Sequence, residues 1–180
     1  MSDGEDILDF WFSERVAPLR FVKDAGFDAE ITDRFLHLYE NALKGGHDDW
    51  QMNARGALAL VILLDQFPRN MFRDNKRSFE ADDTALTIVK ASLVKGYDQE
   101  LSDELCAFLY VPFMHSENLE DQEVGIALFK ARDLKENERF AILHRDIIAR
   151  FGRFPHRNII LGRESTEEEI EFLKGPGSSF

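Results

Sequence analysis

Apolar positions recur at three- and four-residue intervals along most of the chain, and no useful length alternates with period two. The spacing predicts a short helix over residues 4–12, with Ile7, Leu8 and Trp11 on one face. A second is predicted from Asp28, a good N-cap, to about residue 43, with Ile31, Phe35, Leu38 and Ala42 aligned and Gly45-Gly46 ending it. Residues 49–67 form a third, stopped by Pro68; its middle is apolar all round, which predicts a helix buried on most sides. A fully buried strand is the alternative for 57–64 alone, and length favours the helix.

Further helices are predicted over 82–95 with Gly96 as stop, from Ser102 to a kink or end at Pro112, over 119–134, and over 137–151 closed by Gly152. The last opens at Ser165-Thr166, where Thr166 and Glu169 have capping-box spacing, and stops at Gly175-Pro176. Seven or eight helices with short connections make a single all-α domain over 1–180, stacked as antiparallel hairpins. The absence of a clean repeat of about 33–47 residues means that no solenoid is shown by period.

Composition supports this picture and narrows the partners. Apolar residues are 44% and charged residues 31% of 180, a globular balance, and sixteen phenylalanines supply an aromatic core. With 34 acidic against 22 basic side chains the formal charge is −12, the wrong sign for wrapping nucleic acid. The N-terminus is acidic where a secretory leader is basic. The longest apolar run, 57–64, is far short of the ~20 residues that span a bilayer. One cysteine cannot form an internal disulfide, so a cytoplasmic protein with no membrane or nucleic-acid partner is expected. The oligomeric state is not readable.

Two stretches stand out chemically. Residues 150–163 carry Arg150, Arg153, Arg157, Arg163 and His156 without one acid, in a chain otherwise rich in acids. Residues 65–73 echo them: each stretch has Phe-Pro followed within three residues by Arg and Asn, just past a predicted helix end. Arg69, Arg73, Arg153 and Arg157 can therefore converge on an anion, because guanidinium forks match carboxylate and phosphate bidentately, with Asn70 and Asn158 orienting them. The competing expectation is that the arginines pair with Asp65, Glu117 or Asp146 and staple helices together.

His115, beside Ser116 and Glu117, can join His144 and His156 as a general acid–base group, since imidazole titrates near working pH. Against that, Ser116 can cap the next helix, with Glu117 supporting it. The chain has no HExxH, ExxH or CxxC spacing, so no metal site and no cofactor are assigned, although His115, Glu117, His144 and His156 can still meet in space. His47-Asp48 reads as a solvated loop, Cys106 as inert core, and Phe10-Trp11-Phe12 as helix packing.

These segments together resemble the domain-of-unknown-function 924 family of mostly bacterial proteins. The resemblance is carried by Phe10-Trp11-Phe12, by residues 63–70, by His115-Ser116-Glu117 with Asp121-Gln122, by residues 150–158, by Leu161-Gly162-Arg163, and by Ser165-Thr166 through Phe172-Leu173. It covers nearly the whole chain. It implies an all-helical fold similar to tetratricopeptide-like superhelices, with a concave ligand-binding surface, and it carries no established reaction. This chain has Arg20-Phe21 where the family usually shows Trp-Phe, which adds one more cation.

The expected function is a binding module for an anionic small molecule or acidic peptide, with His115 and His156 adding donors to the arginines and asparagines above. The rival is a hydrolase or transferase acting on a phosphate- or carboxylate-bearing metabolite, with His115 or His156 as general acid–base.

Overall fold

The computed structural model describes residues 3–178, and Met1 and Ser2, which open the acidic N-terminal stretch, lie outside them. Every regular element among the described residues is helical. The chain divides after Pro112 into two compact units.

The first unit opens with α1 (Asp3–Trp11) and α2 (Ala25–Ala42). Asp24, not Asp28, caps α2, accepting the Phe27 amide at 2.8 Å. Asp28 lies one turn inside, where its carboxylate serves another purpose described below. The predicted third helix is composite. A 3-10 turn (Asp48–Met52) leads to Asn53, whose side chain caps α3 (Ala54–Val61) through the Gly56 amide at 2.9 Å. A π turn (Ile62–Gln66) follows, and α4 (Phe67–Met71) continues through Pro68.

Pro68 therefore does not stop this helix. In a regular α-helix its ring would press on the carbonyl of Leu64 and leave a hydrogen bond unmade. Here the Phe67 amide reaches the Ile62 carbonyl, five residues back, and this wider turn takes in the proline. Helices α5 (Asp82–Val94) and α6 (Asp103–Leu109, capped by Ser102) complete the unit. Its core is aromatic: Phe35 meets Phe67 at 4.8 Å and Phe10 at 5.1 Å, and Trp11 meets Phe67 edge-on at 5.6 Å. Burying each such ring is worth about 1.5–3 kcal/mol. Cys106 is buried here, its thiol donating to the Asp98 carbonyl at 3.2 Å. His47 is partly exposed in the turn after α2, its ring against Trp50.

Pro112 likewise does not end helical structure; it lies in the first turn of α7 (Val111–His115), where its missing N–H costs nothing. In the second unit, α8 (Leu119–Ala131) and α9 (Lys135–Phe151) form a hairpin, and Arg145 meets Glu123 across it. Asn118, rather than Ser116, caps α8 by accepting from the Glu120 and Asp121 amides. Gly125 lets α8 approach Phe113, whose Cβ would lie 2.7 Å from any Cβ placed there. Gly152 ends α9 at φ +68°, as expected. A 3-10 turn (Pro155–Arg157) passes into α10 (Asn158–Leu161), and Thr166 and Glu169 form the expected capping box on α11 (Glu167–Phe172). Ile147, Ile148 and Phe154 make the local core, with Phe151 and Phe172 packed against it.

Among the described residues no helix is long and apolar enough to cross a membrane.

Candidate functional site

The residues singled out from the sequence fall into both units. Arg69, Asn70 and Arg73 belong to the first; His115, Glu117, Arg153, His156, Arg157 and Asn158 belong to the second.

In the first unit, the π turn points Asp65 into the protein, where it is 0% exposed and accepts from Gln66 Nε2 at 2.7 Å. Arg69, one turn on, grips Asp82 bidentately at 2.9 and 3.0 Å and lies 3.6 Å from Asp65. Burial by itself would lower the Arg69 pKa, but Asp82 and Asp65 more than offset it and hold it raised. Arg73 and Asn70 both bind the Asp28 carboxylate, Asn70 Nδ2 at 2.8 Å. Tyr39 donates to Glu80 at 2.9 Å. Arg69 and Arg73 thus spend their forks on this unit's own acids, which ties α4 to α2 and to the start of α5.

The second unit is organised by Glu117. Its carboxylate accepts from Arg163 at 2.7 and 3.0 Å and from the Phe154 amide at 2.8 Å. Burial pushes the Glu117 carboxyl up; Arg163 and the Phe154 amide outweigh this and hold it below its ordinary value. One acid therefore anchors the Phe-Pro-His-Arg segment by backbone and side chain together. Arg153 grips Glu169 at 2.7 and 2.8 Å, and Glu169 Oε2 also takes the Thr166 amide at 2.7 Å. The Arg153 fork, with the Thr166 amide and the Asn158 side chain, holds Glu169 down at about 2. Asn158 Nδ2 donates to Ser165 Oγ at 3.0 Å, and its amide oxygen is buried with no hydrogen-bond donor.

Arg157 differs from its neighbours. It is 6% exposed, its guanidinium carbon lies 4.7 Å from the Phe154 ring centroid, and its Nη2 donates to the His115 carbonyl at 3.1 Å. Phe154 is the hub of this cluster. His144 meets it edge-on at 5.8 Å and His156 lies at 5.6 Å, while the His115 and His144 rings are 6.4 Å apart. His115 and His156 are half-buried; His144 is buried. Burial, with the nearby His115, His156 and Arg157, pushes the His144 pKa down to about 3, so the ring is neutral at pH 7. A neutral imidazole beside the Phe140 carbonyl, 2.7 Å from Nδ1, must carry its proton on Nδ1, which leaves Nε2 an acceptor.

The sequence suggested three of these features: the arginines, the three histidines and Glu117 as an arginine partner. Asp146 pairs with Arg145 instead of the candidate arginines. Phe154 as the ring shared by His144, His156 and Arg157 carried no sequence signal beyond its motif, and neither did Gln122, which holds the Met114 and Ser116 carbonyls at 2.7 Å each. Among the described residues no three His, Cys, Asp or Glu side chains are placed to share a metal ion.

The comparisons with known proteins agree on one point. A solved structure of a protein of unknown function from Agrobacterium tumefaciens, ATU0120, is similar to this chain at TM-score 0.90 and 40% identity, over 96% of this chain and 97% of that one. No curated protein matches. The model of a family of bacterial proteins of unknown function, DUF924, matches residues 7–177. With nearly its whole length inside that match, the chain belongs to the DUF924 family.

Proposed function

We propose that the second unit binds a small anion, a carboxylate or phosphate group carried by a metabolite or by the acidic end of a peptide, at the cluster of Arg157, His115 and His156. One observation supports this reading: the nearly buried Arg157 guanidinium lies against the Phe154 ring, which also meets the His144 and His156 rings, and it donates to the His115 carbonyl. His115 and His156 are half-buried beside this guanidinium segment, and His144, neutral at pH 7, adds no charge to the cluster. Asn158 and Glu117 hold the loop that presents Arg157, as positioning residues. Arg69, Asn70, Arg73 and Arg153 serve this reading as internal ties, because carboxylates of the chain occupy them. A buried cysteine and the absence of any need for a disulfide suit a cytoplasmic setting.

The test is a thermal-shift series with inorganic phosphate, acetate, citrate, nucleotides and an acidic peptide, on the natural protein, His156→Ala and Arg157→Lys. A ligand at 100 times its Kd stabilises by about 2.7 kcal/mol. For a chain of this size each kcal/mol moves the midpoint by roughly 2–4 °C. A shift seen with the natural protein and lost in His156→Ala, itself folded, supports the site. Shifts of equal size in all three proteins would exclude it.

A further inference from the structure

Arg20 stands apart from every other arginine of the first unit. Arg15, Arg34, Arg55, Arg69, Arg73 and Arg77 each have a carboxylate within ion-pair distance. Among the described residues Arg20 has none; its hydrogen bond runs from Nε to the Trp11 carbonyl at 2.9 Å. Its guanidinium carbon lies among three rings, 5.2 Å from Phe12, 5.2 Å from Phe108 and 5.8 Å from Trp11. Burial holds its pKa below the ordinary arginine value, and the charge of Glu104, beyond ion-pair distance, restores only part of that.

Two donors in this cluster have nothing to donate to. Arg20 Nη2 and Trp11 Nε1 are both buried with no hydrogen-bond partner among the described residues, and Trp11 is 0% exposed. An orphaned buried donor costs about 1–3 kcal/mol, more when charged, and two in one place need a common explanation. Both are N–H groups, so the missing partner is an acceptor, and the positive charge of one makes it an anion. Arg20 Cζ lies 5.8 Å from the Trp11 ring centroid, so a carboxylate lodged beside them is the acceptor that would serve both donors.

The surroundings define the rest of the ligand. Phe21 is 82% exposed, and its ring lies parallel to Phe108 at 6.3 Å. Arg20 and Phe21 lie in the turn before α2, outside any helix, so their side chains can part without breaking helical hydrogen bonds. A large ring left in water beside a cation suits an apolar body attached to the anion. We infer that Trp11 and Arg20 form a site for a carboxylate on an aromatic or other apolar body, with the carboxylate across Arg20 Nη2 and Trp11 Nε1 and the body against Phe21 and Phe108. This site is separate from the histidine–arginine cluster of the second unit and does not depend on it.

The experiment titrates phenylacetate into the full chain, following heat and the Trp11 indole N–H resonance, assigned by comparison with Trp50→Phe. Its neutral analogue 2-phenylethanol and inorganic phosphate run in parallel. Phenylacetate is expected to bind and to move the Trp11 indole signal, and 2-phenylethanol to leave it in place. Loss of a charge-assisted hydrogen bond in Arg20→Met should weaken binding at least about tenfold. Binding should persist in His156→Ala, which separates this site from the other. An unmoved Trp11 indole signal at millimolar phenylacetate, or equal affinity in Arg20→Met, overturns the inference. Phosphate binding through Arg20 without phenylacetate binding overturns the apolar-body assignment.

Discussion

Lowering the pH from 7 to 5 should weaken the folded protein through one residue, His144. In the unfolded chain this imidazole titrates near its ordinary value of 6.5, whereas in the folded protein, where it is buried beside His115, His156 and Arg157, it titrates at about 3. Above 6.5 the ring is neutral in both states and stability is complete. Below 6.5 the unfolded chain takes up a proton that the folded chain refuses. Stability therefore falls as the pH falls, down to about 3. Between pH 7 and 5 the loss works out at about 2 kcal/mol, within a ceiling of about 5 kcal/mol for the full window. Glu117 and Glu169 are held below the ordinary 4.5, so their contributions stay intact above pH 5 and are lost only in stronger acid. Urea unfolding at pH 5, 6 and 7 on the natural protein and His144→Gln isolates the effect. The natural protein should lose about 2 kcal/mol more than the variant across that range. Equal pH dependence in the two would refute the reasoning, as would an NMR titration in which the His144 ring protonates near pH 6.

Three other outcomes can be checked by the same unfolding measurements. Arg69→Met takes the cation from Asp82 and buried Asp65 and should cost about 3–5 kcal/mol, with part recovered in the double variant Arg69→Met/Asp82→Asn; no recovery would mean that the pair itself is not what stabilises. Gly125→Ala places a methyl 2.7 Å from Phe113 Cβ, a backbone-proximal atom that cannot swing away, and should destabilise by about 1–3 kcal/mol despite alanine's better helix propensity. Thr166→Ala removes one arm of the capping box and should cost about 0.5–2 kcal/mol, while Thr166→Ser should restore nearly all of it.

Helix content and several boundaries were legible because their signals are local. Asp82 to Gly96, Gly152 and the Thr166–Glu169 box each announce themselves within one or two turns of chain. The third helix runs past its expected end because proline in sequence reads as a stop, and nothing in Ile62-Leu63-Leu64 distinguishes a π turn from an α turn. Asp28 differs from its expected role for a related reason: it has the chemistry of a cap, but Asp24 reaches the Phe27 amide first, and Arg73, 45 residues away, claims Asp28. The arginines were found as a group by their clustering. Which of them are occupied was not legible, since each partner lies at a distance that periodicity does not encode: Asp82 for Arg69, Glu117 for Arg163, Glu169 for Arg153. Arg20 is visible in the sequence only as a departure from a family pattern, because the aromatic rings that desolvate it come from two segments far apart in the chain, Trp11-Phe12 and Phe108.

The π turn also sets limits on how this protein can change length. One extra residue in the turn advances everything after it by about 100° around the helix axis. Asn70 and Arg73 face Asp28, and Arg69 faces Asp82, only with that advance in place. Deleting any single residue between Ile62 and Gln66 would give a more regular helix and a worse protein. It would rotate those three side chains off their acids and drive the Pro68 ring into the carbonyl it now avoids. Here an insertion or deletion is equivalent to losing two ion pairs at once, so the spacing from Asn53 to Arg73 is a fixed length.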